Sequence, residues 1–142
     1  MKLTNLHVCA IVIFYYLLGC KNNQMELADF TSDGCSLFAD GTFENPELWK
    51  ECCILHDIAY WQGGSKKRRE EADQAFKHCL KKKTGNPQLA AWMFQGVRSG
   101  GEPFFPTWYR WGNGLPLVLE YHELSPVEEE VVAEKLRKYW ND

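Results

Sequence analysis

The sequence predicts a small, mainly α-helical, disulfide-linked domain, and three observations carry that expectation. Apolar residues recur at helical spacing, most clearly Ala72, Ala75, Phe76, Cys79 and Leu80. Helix-start signals stand at Asn45-Pro46, Ser65, Pro87 and Ser125-Pro126-Val127-Glu128. Six cysteines occur in 142 residues, an even count that suits a bridged framework once the chain has left a reducing compartment. The length fits one domain, and the chain shows no internal repeat.

The segments follow in order. Lys2 supplies a positive start, and Leu6–Leu18 is almost wholly apolar, without Asp, Glu, Lys or Arg. That run is too short to span a bilayer comfortably and fits the core of a secretory signal. It ends Leu17-Leu18-Gly19-Cys20, which resembles a bacterial lipoprotein signal over residues 1–19 with Cys20 as the lipidated residue. The chain is then expected to be exported and lipid-anchored to the cell envelope, at the outer membrane where the host has one; simple secretion is the alternative. Residues 20–32 read as a tether, and 33–44 as a loop marked by Ser32-Asp33-Gly34 and Asp40-Gly41.

Asn45 as cap and Pro46 as first residue open a helix expected to run to about Trp61 and stop at Gly63-Gly64. Ser65 caps a second, to about Lys83, ended by Gly85. Pro87 opens a shorter third, to about Val97, with Leu89, Trp92, Met93 and Gly96 on one side. Residues 98–122 carry Pro103, Pro106 and Pro116 among many aromatics, which predicts irregular structure with at most a short hairpin. Ser125 and Glu128 form a capping box that starts a last helix to about Trp140.

Charge is nearly balanced, 16 Lys+Arg against 19 Asp+Glu for a formal net charge of -3, which excludes a nucleic-acid binder driven by global charge. With Cys9 removed in the signal and Cys20 modified, Cys35, Cys52, Cys53 and Cys79 remain for two bridges. Neighbouring helical residues diverge by about 100°, so Cys52 and Cys53 face different elements and are not expected to pair; two connectivities remain. Residues four apart share a face, which groups Cys52 with His56 and Cys53 with Asp57. If Cys79 joins Cys52 and sets the second helix antiparallel to the first, Asp73 falls opposite both His56 and Tyr60. Cys53 is then left to hold Cys35 against the face that carries Asp57.

That arrangement has chemical content. A histidine held by a buried carboxylate on one ring nitrogen presents the other as a general base. An aspartate beside an irregular loop can join backbone carbonyls around a hard, oxygen-seeking cation. Base and Lewis acid on adjoining faces can together activate water and polarise an ester carbonyl.

The sequence Cys52-Cys53-x-x-His56-Asp57-x-x-Tyr60, with Asp73 six residues before Cys79, resembles secreted phospholipase A2 of a small prokaryotic type over about residues 33–80. The resemblance implies a phospholipase A2-like domain over 33–142, built on two antiparallel disulfide-linked helices behind an N-terminal calcium-type loop. It makes His56 the base, Asp57 a calcium ligand, Asp73 the residue that orients His56, and Tyr60 the hydrogen-bond partner of Asp73. By position, the carbonyls of Gly34, Ser36 and Phe38 complete the Ca2+ shell, with an oxyanion donor near Ser36. The loop, Asp33-Gly34-Cys35-Ser36-Leu37-Phe38-Ala39-Asp40-Gly41, departs from the family's glycine-rich pattern, and Ala59 stands where the family carries a further cysteine. The implied reaction is calcium-dependent hydrolysis of the sn-2 ester of glycerophospholipids at a membrane surface by a monomer. Two alternatives are a catalytically inactive lipoprotein that keeps the scaffold to bind lipid or protein, and a structural envelope lipoprotein.

Other residues read more plainly. A Cys/His zinc site is disfavoured because vicinal helical cysteines point apart. His78 and the runs Lys66-Lys67-Arg68-Arg69 and Lys81-Lys82-Lys83 read as solvated faces, the runs alternatively as a surface for anionic headgroups. The aromatics of 104–111 divide between core and lipid-facing rim, and Arg98 reads as a surface arginine or a phosphate contact. Val131, Val132, Leu136, Tyr139 and Trp140 give the last helix an apolar face for the body or a membrane.

Overall fold

A computed structural model describes residues 26–115 and 119–141. The expected signal 1–19, Cys20 and the first part of the tether lie outside the described residues. Four helices form among the described residues, α1 Lys50–Gln62, α2 Lys66–Thr84, α3 Pro87–Gly100 and α4 Pro126–Asn141. No strand is present among them, so the described part of 98–122 contains no hairpin; 98–100 belong to α3 and 101–115 run as a series of turns and bends. None of these helices is long and apolar enough to cross a membrane.

The first helix begins later than Pro46. The Trp49 amide donates to the Asp40 carbonyl (2.9 Å) instead of closing a helical turn, and the Asn45 carbonyl accepts from the Thr42 and Leu48 amides. The Trp49 indole also donates to the Ala39 carbonyl. These bonds fold 46–49 as a tight turn against the preceding loop, and helical bonding starts only at Lys50. At the other end, the carbonyls of Tyr60 and Trp61 have no later turn to bond. They accept instead from the amides of Gly112 (2.6 Å) and Gly114 (3.0 Å). Gly114 must be glycine, because a Cβ there would enter the Trp61 ring.

The remaining starts follow the sequence signals. Ser65 Oγ accepts from the Arg68 amide, and α2 ends on Gly85 at φ 64. Asn86 Oδ1 accepts from the amides of Gln88 and Leu89, and α3 extends three residues beyond Val97 to Gly100. At α4 both arms of the capping box form: the Ser125 amide donates to Glu128 Oε2 (2.7 Å) and the Glu128 amide to Ser125 Oγ (3.3 Å). Ser125→Ala is expected to lower the free energy of unfolding by about 1 kcal/mol, read as a shift of the urea midpoint at unchanged slope.

Helix α1 is apolar on two sides and lies between two cores. On one side Cys52, Cys53 and Trp49 pack with Phe76 and Leu80 of α2 and with Ala90 and Met93 of α3. On the other, Trp61, Ile54 and Ile58 pack with Val132, Leu136 and Tyr139 of α4 and with Leu115. Leu27 and Phe30, only 4% and 5% exposed, complete this second core, so the packed body reaches into the stretch read as a tether. Both bridges form, Cys35–Cys53 with Cα atoms 5.0 Å apart and Cys52–Cys79 at 5.8 Å. Closing loops of 18 and 27 residues, each is worth about 3 kcal/mol in the chain-entropy model.

Candidate active site

The Cys52–Cys79 bridge sets α1 and α2 antiparallel, and the register carries through to the side chains. Glu51 pairs with Lys83 near one end, while Tyr60 reaches Arg69 at the other. Between them His56 Nε2 lies 2.8 Å from Asp73 Oδ1, and the Tyr60 hydroxyl donates to the same oxygen at 2.9 Å. Asp73 is fully buried and His56 only 8% exposed. Burial alone would raise the Asp73 carboxyl; hydrogen bonds from His56 and Arg98 outweigh it and hold Asp73 below the usual carboxylate range. An ionised Asp73 only accepts, so Nε2 carries a proton, and in the neutral imidazole Nδ1 is the ring nitrogen that keeps the lone pair. The imidazole lies against two aromatic rings, 4.2 Å from Tyr60 and 4.6 Å from Phe76 between centroids. Burial, then the Asp73 charge, pushes the Tyr60 phenol well above its ordinary value, so it stays a donor.

Two arginines complete this network and correct the sequence reading. Arg69 belongs to a basic run read as solvent-facing, yet it is fully buried. Its Nε donates to the Tyr60 hydroxyl (3.0 Å), Nη1 to the Tyr121 hydroxyl (2.8 Å) and Nη2 to the carbonyls of Val97 and Arg98. Nη1 also pairs with Glu102 at 2.7 Å. Arg98 is neither free at the surface nor a free phosphate contact: its Nη1 donates to Asp73 Oδ2 at 2.6 Å. Arg69 stands four residues before Asp73 on the same helix face, which is the one sequence signal that points it inward. Nothing in the spacing marks Arg98, Glu102 or Tyr121. His78 is exposed, as its helix face suggests.

The second bridge brings the loop to Asp57. With Cys53 tied to Cys35, the loop comes beside Asp57: Asp33 and Asp40 act on its carboxyl, and Ser36 and Phe38 line a cavity with it. Ser32 Oγ donates to Asp57 Oδ2 at 2.6 Å, a contact that spacing along the chain does not suggest. Burial pushes the Asp57 carboxyl up to about 6, against the Ser32 hydrogen bond and with help from the charges of Asp33 and Asp40. Gly34 holds φ 87, and a Cβ there would strike the Asp40 carboxylate, which accepts from the Cys35 amide at 2.6 Å. Leu37 also holds a left-handed φ, 62, a conformation that costs an L-residue about 1–2 kcal/mol.

Asp57 accepts from Ser32 and stands near the charges of Asp33 and Asp40. Ser36 and Phe38 line the same cavity, so carboxylate and backbone oxygens, the ligand types of a hard cation, occur beside it, while Gly34 lies buried outside that lining. Cys35, Asp40 and Cys53 also converge as metal-ligand types. Two of these are one disulfide, and sulfur bonded in that way is no thiolate ligand.

His56 and Asp57 open into a cavity of about 530 Å³, large enough for a drug-sized ligand. Its walls include Met93, Val97 and Tyr109, with Leu37, Phe38, Trp92 and Trp108 exposed where they line it. Among the described residues, no Lys or Arg is part of the lining. The aromatic segment therefore divides: Trp111 is core, its indole bonded to the Gly64 carbonyl (2.8 Å), while Phe104, Phe105 and Trp108 are exposed. Searches against protein-family models, curated proteins and solved structures match nothing to this chain.

Proposed function

We propose that the protein hydrolyses the sn-2 ester of glycerophospholipids in a calcium-dependent reaction at a membrane surface. The observation that carries this reading is the His56–Asp73–Tyr60 hydrogen-bond chain, set beside Asp57 in a largely apolar cavity of about 530 Å³. His56 Nδ1 takes a proton from water as that water attacks the ester carbonyl, and returns it to the leaving alkoxide. Asp73 holds the imidazole in the Nε2–H tautomer and stabilises the imidazolium that forms, and Tyr60 keeps Asp73 in place. Asp57, with carbonyls of the loop whose residues Ser36 and Phe38 line the cavity, would hold calcium, which would supply positive charge for the developing oxyanion. The apolar walls receive the acyl chain, and the exposed Trp92 and Trp108 suit the boundary between acyl chains and water. Export and a lipid anchor at Cys20 would keep the enzyme at its substrate.

The test is fatty-acid release from phosphatidylcholine vesicles by the purified protein, with calcium and with a chelator. Release is expected only with calcium; no release from any phospholipid with calcium present sinks the proposal. A second reading, a lipid-binding protein without catalysis, is favoured by the loop itself, where Leu37 holds a left-handed φ and Asp40 is turned toward the Cys35 amide. Tryptophan fluorescence that responds to vesicles but not to millimolar calcium favours it.

A further inference from the structure

We propose that Arg98 is a positioning residue for the candidate base, acting through Asp73; this rests on the hydrolytic reading above. The two oxygens of Asp73 have separate partners. Oδ1 receives both His56 and Tyr60, whereas the hydrogen bond to Oδ2 comes from Arg98 Nη1 at 2.6 Å. Arg69 Nε approaches Oδ2 only to 3.9 Å, beyond a hydrogen bond. An aspartate side chain rotates easily about its last torsion. A carboxylate held at one oxygen can swing; one held at both has a fixed plane, and the imidazole bonded to it inherits a fixed orientation.

Arg98 is anchored for this work. It stands near the C-terminal end of α3, where Arg69 Nη2 binds the carbonyls of Val97 (3.1 Å) and of Arg98 itself (2.9 Å). Arg69 is fully buried and also bonded to Tyr60, so the residue that steadies one Asp73 partner steadies the segment bearing another. Val97, Gly100 and Gly101 of the same segment line the cavity, while Arg98 itself does not. Arg98 thus ties the wall of the cavity to the base without touching what the cavity holds. Its side chain is 25% exposed, less enclosed than fully buried Asp73, so replacing it removes the lock at the more open end of the pair.

The test compares Arg98→Gln and Arg98→Lys in the full chain with calcium present. Arg98 makes this contact through a single nitrogen, so lysine can restore a cation on Oδ2, although the two residues do not exchange at bidentate sites. Two readouts are taken: kcat and KM for fatty-acid release from phosphatidylcholine vesicles, and the low-field proton resonance of His56 Nε2–H, assigned by its absence in His56→Gln. Arg98→Gln is expected to keep the near-UV circular dichroism of the parent, to lose about tenfold or more in kcat at unchanged KM, and to lose the low-field resonance to solvent exchange. Arg98→Lys should recover most of both. Parental kcat and an intact resonance in Arg98→Gln overturn the proposal. So does an Arg98→Lys protein that melts as early as Arg98→Gln and recovers neither readout, which would make the arginine purely structural. If the parent releases no fatty acid, the hydrolytic reading fails by itself, and the resonance alone decides whether Arg98 orients His56.

Discussion

His56→Gln is expected to lose calcium-dependent acyl release by about 10²- to 10⁴-fold, the usual contribution of a general base, while the fold stands. Glutamine can still donate from its amide to Asp73 Oδ1, so the buried carboxylate keeps a partner where His56 Nε2 now lies at 2.8 Å. What glutamine lacks is a basic nitrogen on the far side. It also loses the ring contacts with Tyr60 and Phe76, which costs about 1 kcal/mol of stability. The two effects separate experimentally: titration of released fatty acid reports the first, and a thermal melt followed by near-UV circular dichroism reports the second. A variant that folds and releases fatty acid at the parental rate would remove His56 from the base role.

The part of the site that spacing reveals is the part that lies on regular helix. Once Cys52 pairs with Cys79, the periodicity of α1 and α2 determines that Asp73 meets His56 and Tyr60, and the side chains lie within hydrogen-bond distance as that register requires. The start of α1 is less legible because it is decided by tertiary bonds: Asn45-Pro46 has good capping chemistry, but the Asp40 carbonyl takes the Trp49 amide and delays the helix. Arg69 illustrates a different limit. In Lys66-Lys67-Arg68-Arg69 every residue is cationic, so composition carries no contrast between the inward and outward positions. Beyond its place four residues before Asp73, the burial of this one is explained by Tyr60, by the carbonyls of Val97 and Arg98, and by Tyr121 and Glu102 from an aperiodic segment. Leu27 and Phe30 belong to extended chain without a period of its own, and their burial depends on the far-away Val132 and Tyr139 of α4. Ser32 is hidden for the same reason, since its partner Asp57 lies 25 residues away.

Asp57→Asn is expected to abolish the calcium response and, at the same time, to stabilise the calcium-free protein at neutral pH. Burial, aided by Asp33 and Asp40, raises the Asp57 carboxyl from 3.8 to about 6. A carboxyl whose folded value exceeds its unfolded one binds protons more readily in the native state, so ionising it works against the fold. The penalty is absent below about pH 4, grows as pH rises between the two values, and is complete above about pH 6; the gap corresponds to at most about 3 kcal/mol. Asparagine carries no charge at any of these pH values and can still accept from the Ser32 hydroxyl, which donates at 2.6 Å in the parent. The stability difference between variant and parent should therefore be small near pH 4 and largest above pH 6, measured by urea unfolding with a chelator present. Calcium should reverse the order, because a cation that binds the ionised native carboxylate stabilises the parent by mass action and leaves Asp57→Asn unmoved. Parent and variant with the same melting response to calcium would remove Asp57 from the ligand set. A variant less stable than the parent at neutral pH would show that the Asp57 charge is already compensated within the fold, and that Ser32 and the loop were built to hold an anion rather than to await a cation.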